Sequence, residues 1–366
     1  MPGGRFHAVN GSRRMPEPHR IGSLTPSRPY AGGVTRDAPS ASTEASGAPA
    51  QADPTTGPLS DSPRERALGG VYAFTAYFLW GFLPLYFLLL APTGPFELVA
   101  WRIVLSLAFC AILLTVLRGW GRLIAIMRQP KLLLWTGVAG GLIYINWQVY
   151  IVATLSGHVI EASLGYFMNP IVTVVLGVVV LRERLRLTQW IAVGIAVIAV
   201  AVIVFGYGAF PWIALTLAFT FGLYGLVKKR LGPSVDAVSG LTLESLWLVP
   251  VATVILVVVG TTTGLSMGAA GPWHALLLSL AGVFTAVPLL LFAAGARRVP
   301  LTVIGLLQFV APILQFIIGA WLLGEPMTLE RWIGFALVWL ALIVLTVDSL
   351  LFARRARGVS DVGELT

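Results

Sequence analysis

Charged side chains are scarce in this chain. Lys, Arg, Asp and Glu together make up 11% of 366 residues, against 57% apolar residues and a mean hydropathy of +0.85. A water-soluble domain carries about 25% charged residues, so an ordinary soluble fold is excluded. Cysteine is nearly absent: Cys110 alone, in an apolar run, allows neither a disulfide framework nor a thiolate metal site. Histidine is nearly as rare: two of the few, His7 and His19, fall in the N-terminal tail, and no HExxH or paired-Asp motif is present. A membrane-embedded enzyme would need a tight cluster of such groups. Walker A is also missing, so any energy source for work must be a gradient. The net charge of +9 does not indicate nucleic acid, because the basic residues stand in short runs between apolar segments.

What is present divides the chain near residue 67. Residues 1–66 are rich in Pro, Gly, Ser, Ala and Arg and poor in large apolar side chains. They read as a disordered tail without a signal-peptide core, and Met15 offers a later start. From Leu68 onward, ten apolar segments follow, roughly 68–90, 97–117, 131–152, 159–181, 187–206, 209–227, 237–259, 273–295, 300–323 and 329–352, with a short tail over 353–366. Each is long enough to cross a hydrocarbon core of about 30 Å as a helix. The sequence predicts an all-α membrane protein with ten transmembrane helices.

The basic residues orient it. Arg64 and Arg66, the loop residues Arg118, Arg122, Arg128 and Lys131, then Arg182, Arg184 and Arg186, then Lys228, Lys229 and Arg230, then Arg297 and Arg298, and finally Arg354, Arg355 and Arg357 all fall on one side, 17 in number. The other side holds Arg331 alone. The positive-inside rule makes both termini cytoplasmic.

The chain also repeats itself. Sliding it along its own length until Phe167 falls on Phe309 also places Pro170, Ile171, Gly177, Leu181, Glu183, Leu187, Trp190 and Ile191 on Pro312, Ile313, Gly319, Leu323, Glu325, Leu329, Trp332 and Ile333. Each repeat holds five helices, an odd number, so the second enters the membrane from the opposite face. Two inverted five-helix repeats, 68–206 and 209–352, are the architecture expected of a secondary transporter.

The paired L-x-E elements, each with a proline about thirteen residues upstream, resemble the EamA-type repeats of the drug/metabolite transporter superfamily. The stretches Tyr144-Ile-Asn-Trp-Gln-Val-Tyr150, Gly157 through Pro170, Phe221 through Lys228 and Glu244 through Pro250 are similar to the RarD subgroup. The likeness spans about residues 68–352. It implies a permease of the bacterial inner membrane with ten helices, in a subgroup named for chloramphenicol sensitivity. The front extension departs from that pattern.

Candidate transport residues follow from position. Pro170 and Pro312 fall near the middle of helices 4 and 9, where a proline removes a backbone donor and frees the carbonyl four residues earlier. Those carbonyls belong to Tyr166 and Gln308, with Asn169 and Gln315 nearby. Breaks at both prolines would build a midplane site; packing kinks are the other reading. Tyr144, Asn146, Trp147, Gln148 and Tyr150 form a polar and aromatic face on helix 3. With Trp80, Tyr166 and Tyr224 they suit a cavity for an amphipathic solute. His158 and Glu161, spaced i,i+3, are candidates for proton coupling, or else a wet histidine and a carboxylate at a helix start. Arg102 and Glu244 coincide under the repeat offset and are the most deeply placed charges. They could pair, although they lie about 8 and 10 Å from opposite faces at 1.5 Å per residue; each could instead snorkel. Glu183 and Glu325 recur at helix ends, where capping explains them better than solute contact. Gly137 and Gly141 form a small-xxx-small pattern for helix packing.

The function expected is export of small amphipathic metabolites or drugs by alternating access, coupled to protons through His158, Glu161, Glu244 and Arg102. A membrane enzyme and a non-transporting assembly protein are the alternatives. The expected partners are a small solute and the bilayer, with no nucleic acid and no cofactor or metal. A homodimer stays open.

Overall fold

The computed structural model describes residues 63–181, 185–207, 210–296 and 298–363, and among them the regular structure is entirely helical. The expected tail over 1–66 therefore lies outside the described residues except for its last four positions, which already belong to the first helix. The helices are α1 (Pro63–Gly81), α2 (Leu83–Leu89), α3 (Pro95–Val116), α4 (Trp120–Met127), α5 (Pro130–Leu155), α6 (Val159–Leu181), α7 (Leu187–Tyr207) and α8 (Trp212–Leu231). There follow α9 (Ala237–Thr262), α10 (Pro272–Ser279), α11 (Ala281–Ala296), α12 (Leu301–Leu307), α13 (Val310–Ile317) and α14 (Leu329–Gly363).

Six of the anticipated segments appear within a few residues as single helices α3, α5, α6, α7, α8 and α9. Proline supplies several starts: Pro95, Pro130 and Pro272 stand in the first turn, where a missing N–H costs nothing. Other segments are more broken than the apolar runs suggest. The first bends by 42° between α1 and α2, where Pro84 withholds a donor at the start of α2. The eighth divides into α10 and α11 around Leu280, and the ninth into α12, α13 and a π turn over Ile318–Leu322. The tail expected after residue 352 instead continues α14 to Gly363, over residues such as Ala and Arg that favour helix.

By length and composition, eight helices among the described residues can cross a membrane, or nine with α1 and α2 taken as one bent span. The segment outside that set is α8, whose 20 residues end on Lys228, Lys229, Arg230 and Leu231.

Packing follows a regular scheme. α7 lies along α14, α3 along α9, and α6 against α8; α5 rests on α8 and α9, while α1 and α3 rest on α11, and α1 also meets α13. Two main apolar clusters result. One joins α2, α3, α5 and α9 around Phe87, Leu98, Ile103 and Ile151, and the other joins α6, α7 and α14 around Phe167, Ala199 and Phe335. Glycines set the closest approaches. Gly282 of α11 sits on the backbone of Leu105, and Gly140 of α5 on the backbone of Glu244, so a Cβ at Gly282 would overlap α3 outright. Gly137 faces the Trp247 ring, but Gly141 meets nothing; the packing face runs through positions 137 and 140, not 137 and 141. Ile112, Val116, Val179, Val254 and Val257 stay exposed on the outer surface, which suits hydrocarbon and not water.

Candidate functional site

α3 carries Arg102 into the middle of the helix assembly, and close packing against α11 determines where its side chain goes. Its Nε donates to Thr285 Oγ1 at 2.7 Å. The guanidinium lies 4.3 Å from the centroid of the Trp147 ring and 5.6 Å from that of Phe87. Arg102 is 5% exposed, and its Nη1 is buried without a hydrogen-bond partner. The cation–π contacts and the bond to Thr285 offset part of the cost of burying this charge, and one donor stays unspent.

An aromatic chain continues from this point. Phe87 meets Tyr150 edge-on at 6.0 Å, and Tyr150 meets Tyr166 at 5.5 Å. The Tyr150 hydroxyl is also buried without a partner. Tyr166 donates to Asn146 Oδ1 at 3.0 Å, while Asn146 Nδ2 donates to the Leu217 carbonyl and to Thr220 Oγ1, each at 3.1 Å. Asn146 is thus occupied in tying α5 and α6 to α8. Trp80 and Tyr144 pack at the edge of the same cluster.

Glu244 does not pair with Arg102. Its Oε1 accepts from Lys228 Nζ at 2.7 Å and its Oε2 from the Tyr224 hydroxyl at 3.1 Å. The carboxylate is 1% exposed, whereas the Lys228 side chain is 32% exposed and reaches in from the end of α8. Lys228 is a flanking base in the linear sequence; only the packing of α8 near α9 makes it a counter-ion.

A third group gathers where α6 and α8 begin. Glu325 accepts from the Val159 and Ile160 amides at 2.6 and 2.9 Å, capping α6 from a distant loop. Glu161 Oε1 accepts from the Ile213 amide at 3.1 Å and so caps α8. These bonds satisfy donors that every helix start leaves open. His158 is exposed, its Nδ1 3.3 Å from Ser156 Oγ. Burial holds the Glu325 carboxyl above the usual carboxylate range, against the two amides and the nearby charges of His158 and Arg331, which act the other way. A small pocket here is lined by Ile160, Glu161, Leu164, Phe210, Pro211 and Arg331. Glu183 lies outside the described residues.

The two prolines behave differently. α6 runs through Pro170 without interruption, contrary to the expected break; its packing against α8, α13 and α14 holds it in one piece. The ninth segment does break, at Gln308 and Phe309, one turn before Pro312. Gln308 Nε2 donates to the Gly305 carbonyl at 3.0 Å and is spent locally. Gln315 Nε2 donates to the Trp80 carbonyl at 3.2 Å, while its Oε1 and the Asn169 Oδ1 are buried and unpartnered.

The residues proposed for one cavity thus separate. Arg102, Trp147, Tyr150, Tyr166 and Asn146 come together; Tyr224 joins Glu244; His158 and Glu161 stand at a helix boundary; Asn169, Pro170, Gln308 and Pro312 lie on α6 and the broken ninth segment. Sequence reasoning missed Thr285 and Lys228 as the partner of Glu244; it expected Glu325 to cap, but not that the helix it caps is the distant α6. The repeat offset does carry one signal for Lys228, since it maps Tyr86 and Arg102 onto Lys228 and Glu244. Among the described residues, no three His, Cys, Asp or Glu side chains are grouped as metal ligands.

The model of the "EamA-like transporter family" matches residues 67–205 and again 211–347. Protein RarD of Streptomyces exfoliatus is 45% identical over 293 residues, covering 80% of this chain and 92% of the relative. The uncharacterized transporter YojE of Bacillus subtilis (strain 168) is 41% identical, covering 80% and 98%. Protein RarD of Escherichia coli (strain K12) is 38% identical, covering 78% and 96%. The chain belongs to the EamA-like transporter family, as a RarD-type membrane permease and not an enzyme.

Proposed function

We propose that the protein is a secondary transporter that exports small amphipathic solutes by alternating access between two inverted five-helix repeats. The observation that carries this reading is the exchange symmetry of the packing. Let α1, α3, α5, α6 and α7 correspond in order to α8, α9, α11, α13 and α14. The contact of α6 with α8 then matches that of α13 with α1, α5 with α8 matches α11 with α1, and α5 with α9 matches α11 with α3. The pairs α3 with α9, α6 with α13 and α7 with α14 map onto themselves. Gly140 and Gly282, equivalent under the repeat offset, each sit on a backbone at matching crossings. Two halves related in this way can rock about a shared axis.

On this reading α8 is the tenth crossing, both termini are cytoplasmic, and Arg102 with its aromatic neighbours forms the solute site. Proton coupling would run through the carboxylates Glu161 and Glu244 and through His158 at the start of α6. Purified protein in liposomes should drive uptake or release of amphipathic solutes under an imposed proton gradient, and should hydrolyse or transfer nothing. Absence of flux across a broad solute panel would overturn the proposal. A C-terminal fluorescent reporter should be active and a C-terminal periplasmic phosphatase inactive; the reverse would overturn the orientation.

A further inference from the structure

We infer that the solute site takes a monocarboxylate: Arg102 Nη1 and the Tyr150 hydroxyl together receive a carboxylate group, and the Trp147 and Phe87 faces hold the apolar body attached to it. This rests on the transporter reading and adds the substrate class.

The first observation is an unfinished charge. Arg102 is buried, its Nε is spent on Thr285, and its Nη1 has no partner. None of the ion pairs among the described residues includes it. The groups that feel its charge are the phenols of Tyr86, Tyr150 and Tyr166. A guanidinium is only a donor, and stacking on Trp147 and Phe87 compensates part of its desolvation without using any N–H.

The second observation is a second unspent donor in the same cluster. Tyr86 gives its hydroxyl hydrogen to the Leu277 carbonyl at 2.8 Å, and Tyr166 gives its own to Asn146. Tyr150 alone of the three has a buried hydroxyl without a partner. It stands between Phe87 and Tyr166, next to the ring that flanks the guanidinium. Two buried donors, one of them cationic, call for a group that is acceptor-only and negative. A carboxylate is that group, and charge-assisted bonds to arginine are among the strongest it makes.

The third observation comes from the other repeat. Lys228 and Glu244 are 16 residues apart and neutralise each other at 2.7 Å. Their equivalents in the first repeat are Tyr86 and Arg102, with the same separation along the chain. The second repeat contains a cation and its anion, whereas the first keeps a cation and has a phenol in place of a charged partner. A single guanidinium with phenolic neighbours matches one negative charge, and is a poor match for a phosphate dianion. The rings around it favour an aromatic or branched aliphatic body.

Full-length protein in detergent, titrated with phenylacetate, indole-3-acetate and octanoate and read by Trp fluorescence and thermal shift, tests this. Phenylacetamide and benzyl phosphate serve as neutral and dianionic counterparts. At least one carboxylate should bind saturably, tenfold or more tighter than either counterpart. Tyr150→Phe, which keeps the ring and the fold, should weaken that carboxylate severalfold and leave phenylacetamide unchanged. Arg102→Met should abolish the carboxylate preference, and the empty variant should melt no lower than wild type, because it loses a buried charge that is only partly compensated. Arg102→Lys should retain part of the preference.

Equal binding of acid and amide, wild-type affinity in Tyr150→Phe and Arg102→Met, or no binding of any of the three acids would overturn the inference. Flux in liposomes separates it from the broader reading. If neutral amphipathic solutes are transported with no advantage to acids, the transporter proposal stands and this one fails. If nothing is transported although acids bind through Arg102, the reverse holds.

Discussion

Lys228 donates to Glu244 across 2.7 Å and joins the end of α8 to the buried face of α9. The carboxylate is almost fully enclosed while the Lys228 side chain is partly exposed, so the pair joins the two helices and neutralises the buried charge of Glu244. Breaking such a pair from one side costs roughly 3–5 kcal/mol when both partners are enclosed. Because Lys228 is partly exposed, the lower end of that range applies. Lys228→Met should therefore lower the melting temperature in detergent sharply. The double variant Lys228→Met with Glu244→Gln should recover most of the loss. Equal melting of wild type and Lys228→Met would remove the pair from the stability of the fold.

Glu325 holds the start of α6 through two amides. Loss of a helix cap costs about 0.5–2 kcal/mol, and here two buried donors are released together. Glu325→Ala should fall at the upper end of that range, while Glu325→Gln, which keeps one acceptor, should lose less. Thermal melting of the two variants beside wild type checks the order; the reverse order would mean that the carboxylate does not act as a cap.

Asn146 serves three partners on two neighbouring helices. Asn146→Ala would strand the Tyr166 hydroxyl, which costs about 1–3 kcal/mol for a buried group. Asn146→Asp would lose the donors to Leu217 and Thr220 and place a new charge beside the Arg102 cluster. Both variants should express less folded protein than wild type, and Asn146→Asp should also weaken solute binding at Arg102. Folded yield after solubilisation and a binding titration on the survivor are the measurements.

Pro312 lies one turn past a real helix break, and Pro170 lies within an unbroken helix. Pro312→Ala should mend the break and lower flux per inserted molecule, whereas Pro170→Ala should transport close to the wild-type rate. Equal loss in both variants would show that Pro170 also serves the transport cycle.

Much of the fold was legible from composition. Long apolar runs bounded by Arg and Lys mark helices such as α3, α6 and α7 within a few residues, because a chain without water around it must satisfy its backbone internally. The bend at Phe82 was less visible. An apolar run does not register a break when the residues on both sides are equally apolar. For α8, the three basic residues at its end mark a boundary in the sequence, yet one of them folds back as a counter-ion.

The sequence by itself determined the helical class, the order of the apolar segments, the internal repeat and the family, since each depends on local composition or on spacing along the chain. Only tertiary structure decided which polar groups are spent and which are free. Asn146 and Glu244 look like open site residues in one dimension, and both are occupied by partners 16 to 74 residues away. Arg102 and Tyr150 keep unspent donors. The physical reason is that a buried hydrogen bond depends on the crossing of helices, and spacing along one chain does not specify which neighbours cross.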